Sequence, residues 1–188
     1  MLEMRPSVVS HALQFSDSEI DQRYCETLQR LSLSEDQLVG KHILDIGAGF
    51  GVFAVGLKRS GFVANIVNLD RNYGSPIVGN PPPHIPAVIA DARMLPFEDD
   101  KFDLTLSNAC APILFLTDED ESYESRYISA QASLREMLRV TRPGGEIRVS
   151  FTPSLFEWYF MNKILDTLTE KYSFSYFQGD QTLILTLA

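Results

Sequence analysis

His42-Ile43-Leu44-Asp45-Ile46-Gly47-Ala48-Gly49-Phe50-Gly51 is the stretch on which the fold turns. His42 to Ile46 reads as a buried strand running into a glycine-rich turn, and Phe50 to Ser60 as a helix closed by Gly61. Glycines between a strand and a helix let the backbone turn tightly and let a ligand come close to the chain. A dinucleotide fingerprint needs a small residue at the sixth position counted from Gly47, and Val52 stands there. The glycines instead alternate, with Asp45 two residues before the first. A helix N-terminus with no diphosphate to cradle can still bind a carboxylate, such as the tail of an amino acid. A bare tight turn is the simpler reading, and three alternating glycines directly after a strand argue against it.

Downstream of this turn the strand-and-helix alternation continues. Phe62 to Leu69 reads as a second strand ending on Asp70, Ala87 to Ala90 as a third ending on Asp91, and Phe102 to Ser107 as a fourth. Tyr123 to Val140 has the pattern of a long amphipathic helix, and Glu146 to Phe151 that of a fifth strand following Pro143-Gly144-Gly145. Strands alternating with helices predict a doubly wound α/β sheet with parallel strands. The tail differs. A helix over Leu155 to Lys171 leads to two strands, Tyr172 to Phe177 and Gln181 to Leu187, joined by Gln178-Gly179-Asp180, a hairpin signal that makes this pair antiparallel. Between Asp70 and Ala87 the prolines of Pro76 and Pro81-Pro82-Pro83 predict an extended loop in place of a crossover helix. Upstream, Ser16-Asp17-Ser18-Glu19 has capping-box form, and Ile20, Tyr24, Leu28 and Leu31 follow on one helical face. A second, short start at Ser34-Glu35-Asp36-Gln37 runs to Gly40.

Two acids give the glycine turn its context. Asp70 ends the second strand, where a carboxylate can accept hydrogen bonds from ribose hydroxyls. Asp91, followed by Ala92, ends the third, where a carboxylate can accept from an exocyclic amine of adenine. Singly, each is a solvated strand end. Together with Asp45 they describe a pocket for a nucleoside joined to an amino acid, at the switch point of the sheet.

These residues resemble the class I S-adenosylmethionine-dependent methyltransferases, in particular the small type-11-like domain. The resemblance runs from about Gly40 to Phe151. It is carried by Gly40 to Gly51, by Asp70, by Asp91-Ala92-Arg93-Met94-Leu95-Pro96-Phe97, by Phe102 to Asn108, and by Leu134 to Gly145. It implies a Rossmann-like seven-stranded sheet of order 3-2-1-4-5-7-6 with the last strand antiparallel. It also implies S-adenosylmethionine as cofactor and S-adenosylhomocysteine as product. Asp45 with Gly47, Ala48, Gly49 and Gly51 would hold the methionine moiety, and Asp70 with neighbouring Arg71 the ribose side. Asp91 would take the adenine amine with Ala92 beside the ring, and Ser107 and Asn108 would lie below the sulfonium. Residues 1–39 would form an N-terminal helical segment able to cover the site, with 40–188 as the methyltransferase domain.

The remaining features narrow the function. In 188 residues and 21.2 kDa, 45% are hydrophobic and 22% charged, the balance of a globular protein. Twenty-five acidic against 16 basic residues give a net charge of −9, which opposes phosphate backbones and anionic membranes. No secretory signal or membrane-length apolar run is visible, and Cys25 and Cys110 define no disulfide framework, so a cytoplasmic protein is expected. His11, His42 and His84 lack metal-ligand spacing, and no metal is expected. Asp118-Glu119-Asp120-Glu121 reads as the acidic opening of a helix, and Arg135, Arg139 and Arg142 as a solvated face. No Pro-Cys pair surrounds Cys110, and Asn108 is followed by Ala109-Cys110, not by the Pro-Pro-aromatic run of base and amide N-methyltransferases. The expected acceptor is therefore a small molecule. A protein that keeps the cofactor pocket as an inactive partner subunit is the alternative.

Overall fold

The computed structural model describes residues 15–117, 120–150, 155–178 and 182–188. His11, Asp118-Glu119, Phe151 and the Gly179-Asp180 turn of the hairpin lie outside them. The first helix, α1 (Asp17–Arg30), starts where its capping box places it. The Ser16 hydroxyl accepts from the Glu19 N–H, and the Glu19 carboxylate accepts from the Ser16 N–H at 2.7 Å. A short 3-10 turn over Glu35–Gln37 follows.

Seven strands form one sheet: β1 (His42–Ile46), β2 (Asn65–Leu69), β3 (Ala87–Val88), β4 (Phe102–Asn108), β5 (Thr141–Ser150), β6 (Phe174–Gln178) and β7 (Thr182–Leu187). Their order is β3-β2-β1-β4-β5-β7-β6. The first five pair in parallel, and β7 runs antiparallel to both β5 and β6, as the hairpin signal predicts. The remaining helices are α2 (Val52–Arg59), α3 (Ile113–Leu116), α4 (Tyr123–Val140) and α5 (Leu155–Thr169).

Two apolar clusters hold these layers together. Ile43, Leu104 and Leu106 meet Tyr24 of α1, Leu31 just after it, and Phe53 and Leu57 of α2. Leu44, Ile46, Ile147 and Val149 meet Leu134, Met137 and Leu138 of α4 and Met161, Ile164 and Leu165 of α5. Ile43 and Leu44 separate between the clusters because successive strand residues point to opposite faces.

Arg148 ties α1 to the sheet. The residue is 4% exposed, and its guanidinium donates to the Leu31 and Ser32 carbonyls and pairs with Glu146 at 2.7 Å. Those carbonyls sit at the C-terminal end of α1, where backbone acceptors have no partner within the helix. The solvated reading of Arg139 is corrected here. Its guanidinium pairs with Glu136 and Asp99 and donates to the Phe97 and Leu95 carbonyls, pinning the loop before β4 to α4. Arg142 pairs with Asp103.

The loop between β2 and β3 contains no helix, as its prolines require, but it is folded into turns and not extended. The Gly74 N–H donates to the Gly79 carbonyl, and Tyr73, Val78 and Ile85 are buried.

Candidate functional site

The C-terminal ends of β1, β2 and β4 and the loop after β3 converge on the glycine turn. Gly47, Gly49 and Gly51 have φ of 71°, 52° and 71°, in the left-handed region that glycine adopts without a steric cost. At Gly47 a Cβ would also collide with the Cys110 side chain, and at Gly51 it would come within 2.5 Å of Pro82. Gly49 is different. Its Cβ would meet nothing closer than a carbonyl at 4.0 Å, so a side chain there would enter open space above the turn.

Asp70 braces this turn from the next strand. One carboxylate oxygen accepts from the Gly49 N–H at 3.0 Å and the other from the Asn72 N–H at 2.8 Å. Asp45 is buried at the end of β1. Burial, together with the nearby charge of Asp70, pushes its carboxyl up to about 7. Under the same turn both polar atoms of Asn68, and the Tyr73 hydroxyl, are buried without a hydrogen-bond partner.

Two cavities open on either side of Gly47. The first, about 150 Å³, is lined by Asp70, Arg71, Asp91 and Ala92 together with Cys110, Leu114 and Phe115. The second, about 260 Å³, is lined by Asp45, Gly47, Ala48, Gly49 and Asn108, with Arg23, Glu26, Thr27 and Arg30 of α1 on its other side. Gly51 and Ser107 line neither cavity. Gly51 instead starts α2, and the Ser107 hydroxyl is buried without a partner on β4 beside Ile46.

Several residues in or beside the cavities take on a role that the sequence did not give them. Arg93 forks onto Asp91 through Nε at 2.9 Å and Nη2 at 2.7 Å and stacks 5.1 Å from the centre of the Phe115 ring. The Arg93 hydrogen bond holds the Asp91 carboxyl below its usual range. Leu114 and Phe115 come from α3, a single turn too short to show periodicity. Cys110 is an intact thiol wall, because burial raises it to about 11. The α1 residues are the largest omission: the apolar stripe of that helix was legible, and its polar face at Arg23, Glu26, Thr27 and Arg30 carried the missing signal.

The arrangement offers a cleft with carboxylates at three strand ends, a bare glycine above the middle and an aromatic wall at one end. The open space over Gly49, with carboxylates on either side of it, suits an extended polar ligand that joins an amino-acid end to a nucleoside.

A family model described as a methyltransferase domain matches residues 44–149, more than half of the chain. The demethylmenaquinone methyltransferase of Mycolicibacterium paratuberculosis is 37% identical over 111 residues, covering 58% of this chain. The chain spans only 41% of the length of that relative. Among solved structures, a protein of Pyrococcus horikoshii OT3 superposes with a TM-score of 0.59 at 19% identity, over 92% of this chain and 93% of that one. Magnesium protoporphyrin IX methyltransferase from Synechocystis PCC 6803, crystallised with bound SAM, superposes with a TM-score of 0.58 at 16% identity, over 98% and 87%. Both share the fold.

Proposed function

This chain belongs to the methyltransferase-domain family of class I, S-adenosylmethionine-dependent proteins, and from that premise we propose that it transfers the cofactor's methyl group to a small-molecule acceptor. The observation that carries the reading is the pair of cavities meeting at Gly47, one flanked by Asp70 and Asp91 and the other by Asp45. Asp70 would accept from the ribose hydroxyls with the lone pairs left over from Gly49 and Asn72, and Arg71 would flank it. Asp91, fixed in orientation by Arg93, would accept from the adenine amine, with Ala92, Leu114 and Phe115 against the ring. Asp45 and the Gly47-Ala48-Gly49 backbone would hold the methionine end, Gly51 would shape the turn, and Asn108 would lie toward the sulfur, while Ser107, fully buried on β4, would stay beneath the cleft.

When bound, the cofactor supplies a methyl group on a sulfonium, a centre with a good leaving group. The protein's task is then alignment of the acceptor in line with that methyl. A carboxylate tight against the sulfur would stabilise the ground state more than the transition state, since positive charge disperses as the methyl leaves. The three acids accordingly act on amine, ribose and adenine.

The small-molecule acceptor is supported by the −9 charge and by the name of the demethylmenaquinone relative. Residues 1–39 are proposed as a cover over residues 40–188, and the cytoplasm as the location. Among the described residues no helix is long and apolar enough to cross a membrane. A thermal-shift comparison tests the cofactor: S-adenosylhomocysteine should raise the unfolding midpoint and NAD should not. A shift with NAD alone would sink the proposal.

A further inference from the structure

We propose that a third cavity, beside the one assigned to the nucleoside, binds the anionic end of a partly apolar organic molecule such as an aryl carboxylate. This goes beyond the cofactor reading, because it assigns a separate site. The cavity, about 140 Å³, is lined by α3, the start of α4, the residues just before it and the loops after β2 and β3. Its walls differ in kind. Leu114 and Phe115 form an apolar side, and Leu114 is 48% exposed. Arg71, Arg93 and Arg126 share the rest of the lining, where Glu121 is the single acid among the described residues. In a chain with 25 acidic and 16 basic residues, that is a local reversal of the overall charge.

The three arginines are not equally committed. Arg93 forks onto Asp91, and its Nη1 reaches the Ser129 hydroxyl at 3.3 Å. Arg126 is half-buried; it donates to the Glu121 carbonyl at 2.9 Å, approaches that of Leu116 at 3.5 Å and lies over the Tyr123 ring. Neither Arg71 nor Arg126 forms an ion pair among the described residues. Carbonyls and a ring orient a guanidinium without cancelling its charge, so two positive charges stand against the one of Glu121. A carboxylate would supply the missing counter-charge through paired N–H···O bonds, and Ser125 and Ser129, one turn apart on α4, add hydroxyl donors. Inorganic phosphate would satisfy the arginines but leave Leu114 and Phe115 facing water, whereas an aromatic body covers them. Arg71, Leu114 and Phe115 also line the nucleoside cavity, so the two sites adjoin without coinciding.

The test is NMR of the full chain titrated with cinnamate, with uncharged cinnamamide and with inorganic phosphate, each in the presence and absence of S-adenosylhomocysteine. Cinnamate should move the amide signals of Ser125, Arg126 and Ser129 saturably, and should stay bound when S-adenosylhomocysteine is present. Arg126→Gln should weaken it roughly tenfold, as for a lost charge-assisted hydrogen bond. Glu121→Gln should tighten it roughly two- to fivefold by removing a like charge, a gain that a misfolded variant could not produce. No saturable shift at those amides would overturn the proposal, as would a Glu121→Gln chain that binds no more tightly. Equal binding of cinnamamide would show that charge is not recognised, and equal binding of phosphate that the apolar wall is not; either refutes the ligand class. Displacement of cinnamate by S-adenosylhomocysteine would refute a separate site. Failure of S-adenosylhomocysteine to bind at all would sink the cofactor reading and leave the cinnamate result to decide this one.

Discussion

Asp45 is the residue whose chemistry the fold alters most. A carboxyl raised from 3.8 to about 7 by burial and by Asp70 keeps its proton in the folded chain across a window where the unfolded chain has released it. The folded state then binds more protons, so stability should fall as pH rises from about 4 to about 7 and level off above. A bound ammonium reverses the preference by favouring the ionised form. Affinity for S-adenosylhomocysteine should therefore rise between about pH 6 and about pH 8, and Asp45→Asn should flatten that rise. Calorimetry at both values checks it, and a pH-independent wild type would refute it. Asp70 carries two duties, since it braces the Gly49 and Asn72 N–H groups before any ligand arrives. Asp70→Ala should cost roughly tenfold or more in affinity, and it should also lower the ligand-free midpoint because two donors lose their acceptor. Loss of affinity with an unmoved midpoint would show that the brace contributes nothing. The acids and glycines were legible because each lies in the last residues of a strand or just after one. Arg93 was not, because its grip on Asp91 and its stacking on Phe115 depend on a side-chain path that no spacing encodes.

At the scale of elements, the agreement between sequence and structure follows how much of each element's stability is local. The capping box at Ser16 and the full extent of α4 from Tyr123 to Val140 could be read directly, because caps and an amphipathic period are local signals. β5 begins at Thr141, five positions before the expected Glu146, because Thr141 pairs with Phe102 ahead of an irregular register and its hydroxyl meets Thr105 at 2.7 Å. That pairing is tertiary and overrides the Pro143-Gly144-Gly145 break. β3 shortens to two residues, Ala87–Val88, because it is an edge strand paired only with β2. The contact between α1 and α2 depends on Gly56, where a Cβ would fall 2.5 Å from Cβ of Tyr24. Gly56→Val should therefore push α1 outward and cost about 1–3 kcal/mol, as overpacking does. Hydrogen exchange should quicken along α1 and stay unchanged in α4. Uniform quickening across both helices would mean that α1 does not move independently of the rest.

For the molecule as a whole, α1 and the residues after it belong to the packed body. Ile20, Tyr24, Leu31 and Leu33 are each no more than 9% exposed, and most of them join the cluster that contains Ile43, Phe53 and Leu57. Burying one large apolar side chain is worth about 1.5–3 kcal/mol, whereas a whole domain is stable by only about 5–15 kcal/mol. Removing α1 and the turn after it would also take the Leu31 and Ser32 carbonyls from Arg148, leaving its guanidinium with Glu146 as its remaining partner. Deletion of residues 1–33 should therefore abolish cooperative unfolding altogether. Deletion of residues 1–14 leaves every one of these contacts in place, so it should preserve both the transition and S-adenosylhomocysteine binding. The two truncations, compared by calorimetric unfolding and by ligand titration, separate the roles. A folded, cofactor-binding 34–188 chain would show that α1 is dispensable packing and would defeat the structural account given for it.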